Sequence, residues 1–594
     1  MVGKKGVVMI LIGDVPVVPT GTVIAIDTET TGLEYSESLL GVSLAWVDET
    51  DHQEKSCYLV NSGKLGFDFT TENKGEISGD IIDQIFKTCK CVFHNCPFDY
   101  RVIFKEFGFD PPQIIHDTMH LARSVDWQDE LKLTFLYDKY CSESMPAPEW
   151  WSRSKKYRGK QQAMSNIAEY AMFDAIATLR VYNAIVGKIR KEYTWFNTNT
   201  YIQDIRFTNL VMRMIKLGVP VDRQWLTEKR MELERNSARL LGEINKFGIA
   251  NPNSSTQIGK YLENTVDVSI YPLPRTNSGK ISTTEETLAV LADRYPVVAK
   301  IVEYKQLIKG ITSWVDDIKI MSAADGRVHA ILNPFGAKSF RMSSSSINMQ
   351  GIPMKNRDGA FGSKAFGSFF GMFKSDIPGM ELWQIDIKQA EFRLATMLSR
   401  ENNLALSFSH GDDPYINMSM ATWNTPDRRQ DAKRAALASI YETGSETFAK
   451  NNKIPVEEAE FILNSFRSAF PKIKIASKNY EQFAKTYGYV ELLTGRRRYF
   501  GPFDELYKAF NQRVQGSLAE IMITIMLEID KLWPGSIVLQ IHDSVVMYMP
   551  EDEYERNLMI EDLNRIVQSA IPEYISKMVT PEVPFIADVE KWQL

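Results

Sequence analysis

At 594 residues the chain is too long for one hydrophobic core, and its length predicts roughly three to five domain-sized units. Hydrophobic residues at 44% and charged residues at 24% describe an ordinary soluble globular protein, and no apolar stretch is long enough to span a membrane. Five cysteines without framework spacing exclude a disulfide scaffold and fit reduced thiols in a cytoplasmic compartment, while the net charge of −6 excludes a chain that is basic throughout.

Binding follows local potential rather than net charge, and the basic residues cluster in "SRSKKYRGK" (152–160), "RRQDAKR" (428–434) and "GRRRYF" (495–500). In chain order, "GKKGVVMILIG" (3–13) imitates a signal peptide, but the apolar run is short and Asp14 follows it, so a first strand is expected. "VIAIDTETTG" (23–32) reads as a buried strand whose alternation projects Asp27 and Glu29 from one face. "CVFHNCPFDY" (91–100) is an apolar strand followed by His94, Asn95, Phe98 and Asp99. "IAEYAMFDAIATL" (167–179) has helical periodicity, with Tyr170 and Asp174 four apart on one face. Oxygen-only ligands suit Mg²⁺ or Mn²⁺, and two such ions about 4 Å apart can stabilise the attacking and leaving oxygens of phosphodiester hydrolysis.

From about residue 200 long helices are expected, the first closing at Gly218, with Ser/Thr-rich caps in "NPNSSTQIGKYL" (251–262) and "TNSGKISTTEETL" (276–288). "GRVHAILNPFGAKSFRMSSSSINMQGIP" (326–353) lacks helical periodicity and suits the lining of a nucleic-acid groove. "LWQIDIKQAEFRLA" (382–395) places Asp386 between Ile385 and Ile387, and "LQIHDSVV" (539–546) places Asp543 in another apolar strand. An uncompensated buried carboxylate is costly. A metal pair shared by two neighbouring strands would resolve both costs, and Asp543 is therefore expected to be held by metal shared with Asp386. Between them, Arg429, Lys433, Leu437 and Tyr441 recur every four residues along a helix, a stripe of roughly 18 Å that begins with two cations and ends in a ring.

The order Asp-x-Glu, His-Asn-x-x-Phe-Asp, Tyr-x-x-x-Asp resembles the proofreading 3′→5′ exonuclease family, and the segments that follow resemble family A DNA polymerases. The resemblance covers nearly the whole chain. It implies an α/β, ribonuclease H-like exonuclease domain over 1–195 and an α+β right-hand polymerase domain over 196–594. In the hand, the thumb is expected at about 196–315, the palm at about 316–395 and 489–594, and the fingers at about 396–488. It further implies that Asp27, Glu29, Asp99 and Asp174 hold two metals while Tyr170 orients the attacking water. At the second site, Asp386 and Asp543 would hold two metals, and Glu391 would crowd a ribose 2′-hydroxyl. Arg429 and Lys433 would meet the incoming triphosphate, Leu437 and Tyr415 would stand near the nucleotide, and Tyr441 beside the templating base. Arg341, Asn348, Gln350, Asn511, Gln515 and His542 would contact primer and template, and Arg496, Arg497 and Arg498 the phosphates.

Three positions depart from the family pattern: Leu437 where an aromatic is usual, Ser544 where a Glu follows the His-Asp pair, and Tyr415 where a His is common. The partners implied are primer–template DNA and dNTPs, with a processivity factor or helicase that no motif identifies. The absence of any segment resembling a 5′ nuclease gives the chain a phage-type look. Two alternatives stay open at this point: a single-subunit RNA polymerase, and a nuclease or DNA-binding accessory with an inactive polymerase half.

Overall fold

The computed structural model describes residues 18–31, 38–60, 79–126, 130–145, 164–267, 273–345, 347–352, 369–452, 454–541 and 543–592. The first-strand expectation at residues 3–13, the basic run at 152–160 and His542 lie outside them.

Five strands build the N-terminal sheet: β1 (Val23–Thr30), β2 (Leu39–Val47), β3 (Glu54–Val60), β4 (Lys90–Phe93) and β5 (Ile114–Asp117). Their order is β3-β2-β1-β4-β5, antiparallel on the β2–β3 side of β1 and parallel on the β4–β5 side. The alternation along β1 feeds two cores. Ile24 and Ile26 join Leu44, Phe86 and Tyr100 in one, while Ala25 joins Ala45, Val92, Leu136 and Leu179 in the other. With both faces covered, the strand can carry polar groups only where it runs out, and that is where Asp27 and Glu29 stand.

The helix Thr198–Leu217 leaves this domain and ties it to the rest. Asn209 donates to the Pro112 carbonyl in the first domain, and Gln203 donates to the Thr524 hydroxyl in the second. The helix stops at Gly218 as expected: φ is 67°, and a Cβ there would lie 2.7 Å from the His329 ring, so only glycine fits. The second domain contains the short pairs β6 (Val219–Pro220) with β7 (Arg327–Val328) and β8 (Ile331–Asn333) with β9 (Ser343–Ser345), then β10 (Met380–Ile387). It ends with β11 (Tyr489–Glu491) paired to β12 (Arg497–Tyr499), then β13 (Ile537–Ile541), β14 (Ser544–Pro550) and β15 (Ala587–Lys591). Its main sheet is antiparallel throughout, ordered β13-β14-β10-β15. The helix Ala509–Leu532 packs behind it, and from Ala390 to Tyr487 the described chain forms helices and turns only. This is the α+β second domain expected. Among the described residues, no helix is long and apolar enough to cross a membrane.

The arginine run 496–498 corrects the sequence reading. Arg496 is 6% exposed; it donates in bidentate fashion to Asp204 (2.9 and 2.6 Å) and through Nε to Glu520 at 3.2 Å. His120 of the first domain joins the same Asp204 at 2.8 Å, its ring stacked on Phe335. Arg498 is buried against Asp504 at 3.2 Å, and the Arg497 guanidinium lies over the rings of Trp195 and Tyr489. Arg496 is thus spent on a buried network between distant segments and Arg498 on a pair within its own segment, so neither is free to meet phosphates. A buried ion network is costly to break, because removing one member leaves its partners charged in a dry site. Arg496→Leu is therefore expected to destabilise the fold by about 3–5 kcal/mol. The midpoint of thermal unfolding should fall, with the salt dependence of DNA binding unchanged. A flattened salt slope at unaltered stability would return Arg496 to the DNA surface.

Candidate active sites

The first site forms where β1 ends. Helix Cys96–Phe107 starts abruptly, with Asn95 in the left-handed region (φ 77°) and Pro97 in its first turn, and this puts Asp99 beside β1. Asp99 accepts from the Thr28 backbone N–H (3.0 Å) and hydroxyl (2.7 Å), and Thr28 stands between Asp27 and Glu29. The helix Met164–Lys191 lies across the sheet and brings Asp174, which accepts a hydrogen bond from Tyr170. All four acids are held above the usual carboxylate range. Burial is the largest cause for Asp27, followed by the charges of Asp99, Glu29 and Asp174. Burial, then Asp174 and Asp99, pushes Glu29 up to about 8; burial also lifts Asp99 to about 7 and Asp174 to about 6. Four oxygen donors that repel one another in a dry site are the donor set of a hard dication, whose charge inverts the repulsion. The donor chemistry suits such an ion, although among the described residues no group of three or more His, Cys, Asp or Glu side chains is arranged to hold one.

Asp117 was missed by the sequence reading. It caps the helix Thr118–Val125, accepting from Met119 (2.8 Å) and His120 (3.4 Å), and it also accepts from the Cys96 N–H at 2.7 Å. That last bond orients the helix carrying Asp99. The Asp-Thr sequence after an apolar strand was an available N-cap signal. His94 bonds the Thr118 hydroxyl at 2.8 Å, and burial lowers its basicity, so it serves this scaffold.

The second site forms at one end of β10 and β14. Their register ends at Ile385↔Val545, so Asp386 on β10 and Asp543 in the turn before β14 emerge together. Asp386 is pushed up to about 6 by burial, then by the charges of Asp543 and Asp588, with Lys433 opposing. Asp543 is also raised by burial, against the pull of Arg341. Here the expectation of metal alone needs correction. Arg341 donates to both Asp543 oxygens (2.9 and 3.0 Å) and to Glu391 (2.9 Å), so a basic partner stands against the buried acid. The network continues: Tyr441 donates to Glu391 at 2.8 Å, and Gln515 donates to Tyr441 at 2.9 Å. Arg341, Glu391, Tyr441, Gln515 and Asp543, from five distant segments, thus meet in one cluster. Asp386 and Asp543, two mutually repelling and largely buried carboxylates, again fit a divalent cation.

The other residues named from sequence fall around this cluster. Gln350 donates to the Gln540 carbonyl at 2.7 Å, beside the turn that carries Asp543, and Asn348 is exposed nearby in sequence. Asn511 is buried, and among the described residues its side-chain carbonyl has no hydrogen-bond partner. On helix Arg429–Ile440, Arg429 is held by Asp413 at 2.7 Å, Lys433 is exposed and Leu437 is half-buried. Tyr415 does not present its ring openly: it is 2% exposed, stacked on Phe392, with the Arg429 guanidinium over its other neighbourhood at 5.4 Å. Its ring packs against Phe392 and the Arg429 guanidinium rather than standing open to the cleft. A cleft lined by Asn95, Met119, Arg123, Asn333, Ser343 and Ser345 lies between the two domains.

Comparison with known proteins agrees with this division. The model for a 3′-5′ exonuclease matches residues 16–190, and that for DNA polymerase family A matches residues 223–590. DNA polymerase I of Chloroflexus aurantiacus is 25% identical over 94% of this chain and 60% of its own length. The Borreliella burgdorferi enzyme of the same name is 26% identical over 89% of this chain and 58% of its own. The chain thus spans about 60% of the length of these relatives. Among solved structures, the POL domain of Pol1 from M. smegmatis, in complex with DNA primer-template and dNTP, superposes with a TM-score of 0.71 at 18% identity, over 96% of both chains. That likeness shows a shared fold. The polymerase model alone accounts for well over half of the sequence, and the chain belongs to DNA polymerase family A.

Proposed function

We propose that the chain is a DNA-templated DNA polymerase that extends a primer with dNTPs and removes mispaired ends with its own 3′→5′ exonuclease. The observation that carries the reading is the placement of Asp386 and Asp543 at one end of adjacent strands, faced by Glu391, Tyr441 and a cation-bearing helix. The hand divides as the sequence suggests, into a thumb at about 196–315, a palm at about 316–395 and 489–594, and fingers at about 396–488. Mg²⁺ ions, or Mn²⁺ in their place, would be held two per site by Asp386 with Asp543 and by Asp27, Glu29, Asp99 and Asp174. When bound, they supply charge neutralisation and Lewis acidity at the phosphate.

The protein's own groups do the rest. Lys433 and Arg429 neutralise the triphosphate, Arg429 exchanging Asp413 for phosphate. The primer 3′-hydroxyl attacks the α-phosphorus and pyrophosphate leaves. Glu391, fixed between Arg341 and Tyr441, walls the position a ribose 2′-hydroxyl would occupy. Gln515 and the unpartnered Asn511 carbonyl supply polar groups toward the minor groove, where acceptors differ little between base pairs. In the editing site Tyr170 orients the attacking water against the phosphodiester. The interdomain cleft is a route for a frayed strand between the sites. The sequence resemblance further supports phage-type genome replication in a bacterial host's cytoplasm, alongside a processivity factor or helicase.

Primer extension tests the reading. Template-directed addition of dNTPs, with rNTPs excluded, is expected; extension with rNTPs alone would favour the RNA polymerase alternative, and no extension an accessory nuclease. Leu437 sharpens the test, since it stands one turn before Tyr441 with no hydrogen-bond donor. A dideoxynucleotide leaves polar groups near the 3′ position unpaired, a loss of roughly 1–3 kcal/mol. A tyrosine hydroxyl could fill that position. Leu437→Tyr should relax discrimination against ddNTPs by about 5- to 150-fold in single-nucleotide incorporation, and an unchanged dNTP/ddNTP ratio would mean that Leu437 does not face the sugar.

A further inference from the structure

We propose that Arg123, on helix Thr118–Val125 of the first domain, is a positioning residue for polymerisation in the second: it fixes the turn that delivers Arg341 to Asp543 and Glu391. This rests on the reading of Asp386 and Asp543 as the polymerisation site. The ground is where Arg123 spends its charge. Its Nη1 donates not to an acid but to two backbone carbonyls, those of Phe335 and Ala337, 212 and 214 residues further along the chain, the second at 3.3 Å. Hydrogen bonds from a charged guanidinium are stronger than those between neutral groups, so this is a firm hold on main chain.

The main chain it holds is the connection from β8 to β9, which contains Arg341. Asn333 pairs with Ser343 across the two strands, and the residues between them fold back tightly. A Cβ on Gly336 would lie 1.8 Å from the Ser343 hydroxyl oxygen, so the loop leaves no room for one. Ala337 accepts from the Phe340 N–H at 3.0 Å and donates to the Arg341 carbonyl at 3.1 Å. The residue gripped by Arg123 is therefore the one that ties the Arg341 backbone. Phe340, just before Arg341, has φ 62°, a left-handed conformation that a bulky residue keeps only when its surroundings hold it there. It is buried, with the Arg496 guanidinium 4.6 Å from its ring centre. His120, one turn before Arg123 on the same helix, stacks on the Phe335 ring at 3.7 Å. The first domain thus holds the loop by one ring and two carbonyls. Without the carbonyl bonds the strained turn can relax and carry Arg341 off Asp543 and Glu391. Glu391 would then keep its bond from Tyr441 while losing the one from Arg341.

The test reads selectivity as well as rate. In the full-length chain carrying Asp27→Ala and Glu29→Ala, single-nucleotide incorporation of dNTP and rNTP is measured for the parent, Arg123→Met, Arg123→Lys, Arg341→Ala and the Arg123→Met, Arg341→Ala double variant. Arg123→Met is expected to lower kcat for dNTP and the preference for dNTP over rNTP by about 3- to 10-fold each. KM for dNTP should stay within about twofold, because Arg429 and Lys433 are untouched. Arg123→Lys should recover part of the loss, since an ammonium keeps the charge without the guanidinium fork. Added to Arg341→Ala, Arg123→Met should cost less than about a further twofold, because both changes act through one side chain. Should Arg123→Met fail to fold, Arg123→Gln, too short to span both carbonyls, takes its place with the same outcomes. Kinetics within about twofold of the parent would overturn the proposal. So would a loss of rate at unchanged selectivity, or full additivity with Arg341→Ala, either of which makes Arg123 a structural tie between domains. Arg341→Ala with unaltered rate and selectivity overturns instead the reading of the site itself.

Discussion

Asp386→Ala and Asp543→Ala are each expected to reduce primer extension by at least about 10³-fold, while trimming of single-stranded 3′ ends continues. The two acids reach the same place because β10 and β14 are adjacent and antiparallel, and because the turn between β13 and β14 falls at the end of β10. Both are largely desolvated, so a missing carboxylate cannot be replaced by water at equal strength. Asp543→Ala carries a second consequence, since Arg341 would lose two of its three carboxylate contacts and lean on Glu391 alone. Asp543→Asn separates the effects: the amide oxygen can still accept from Arg341, but the charge is gone. Loss of synthesis in Asp543→Asn as well as Asp543→Ala assigns the defect to the charge. The exonuclease acids lie in the other domain, so trimming should stay within about threefold of the parent, flagging any variant that has merely unfolded. Extension by either Asp386→Ala or Asp543→Ala within about tenfold of the parent would remove these residues from the chemistry.

On the proposed reading, Arg341 and Arg429 would have to change partners when DNA and nucleotide bind. In the structure Arg341 is committed to Asp543 and Glu391, and Arg429 is committed to Asp413. Both arginines can meet phosphate or base only by giving up carboxylates. Of the acids they hold, Asp543 is the one a divalent cation beside Asp386 would take, so its charge need not be left uncompensated.

What could be read in the sequence divides by distance along the chain. The Asp27 and Glu29 pair follows from strand alternation, the Gly218 stop from one helix's end, and the Arg429-to-Tyr441 stripe from helical spacing; each needs only its own segment. The partner of Asp543 lies 202 residues away, and that of Arg496 lies 292 residues away. Local pattern cannot say that Arg341 will arrive at one or Asp204 at the other. A run of three arginines reads as a phosphate surface until the helix carrying Asp204 and the helix carrying Glu520 close over it. Tyr415 shows the converse limit, since its position in the order of motifs was legible while its burial against Phe392 was a matter of packing.

The double change Asp27→Ala, Glu29→Ala is expected to lower 3′→5′ degradation by at least about 10³-fold with polymerisation spared. It should also change how stability depends on pH, which activity alone cannot report. In metal-free protein the folded state holds Glu29 at about 8, Asp99 at about 7 and Asp174 at about 6, with Asp27 also raised. Unfolded carboxylates titrate near about 4. Between about pH 4 and pH 8 the folded protein therefore binds more protons than the unfolded chain, and its stability must fall as pH rises through that window. Below the window the acids are protonated in both states and cost nothing in charge; above it they are ionised together in a dry site. In EDTA the wild type should thus lose thermal stability from pH 5 to pH 8.5 more steeply than the double variant, the variant becoming the more stable of the two at the alkaline end. Divalent metal competes with those protons, so the stabilisation by added Mg²⁺ should grow with pH in the wild type and shrink in the variant. Parallel stability–pH curves for the two proteins in EDTA, or undiminished trimming by the variant, would mean that Asp27 and Glu29 do not share a site with Asp99 and Asp174.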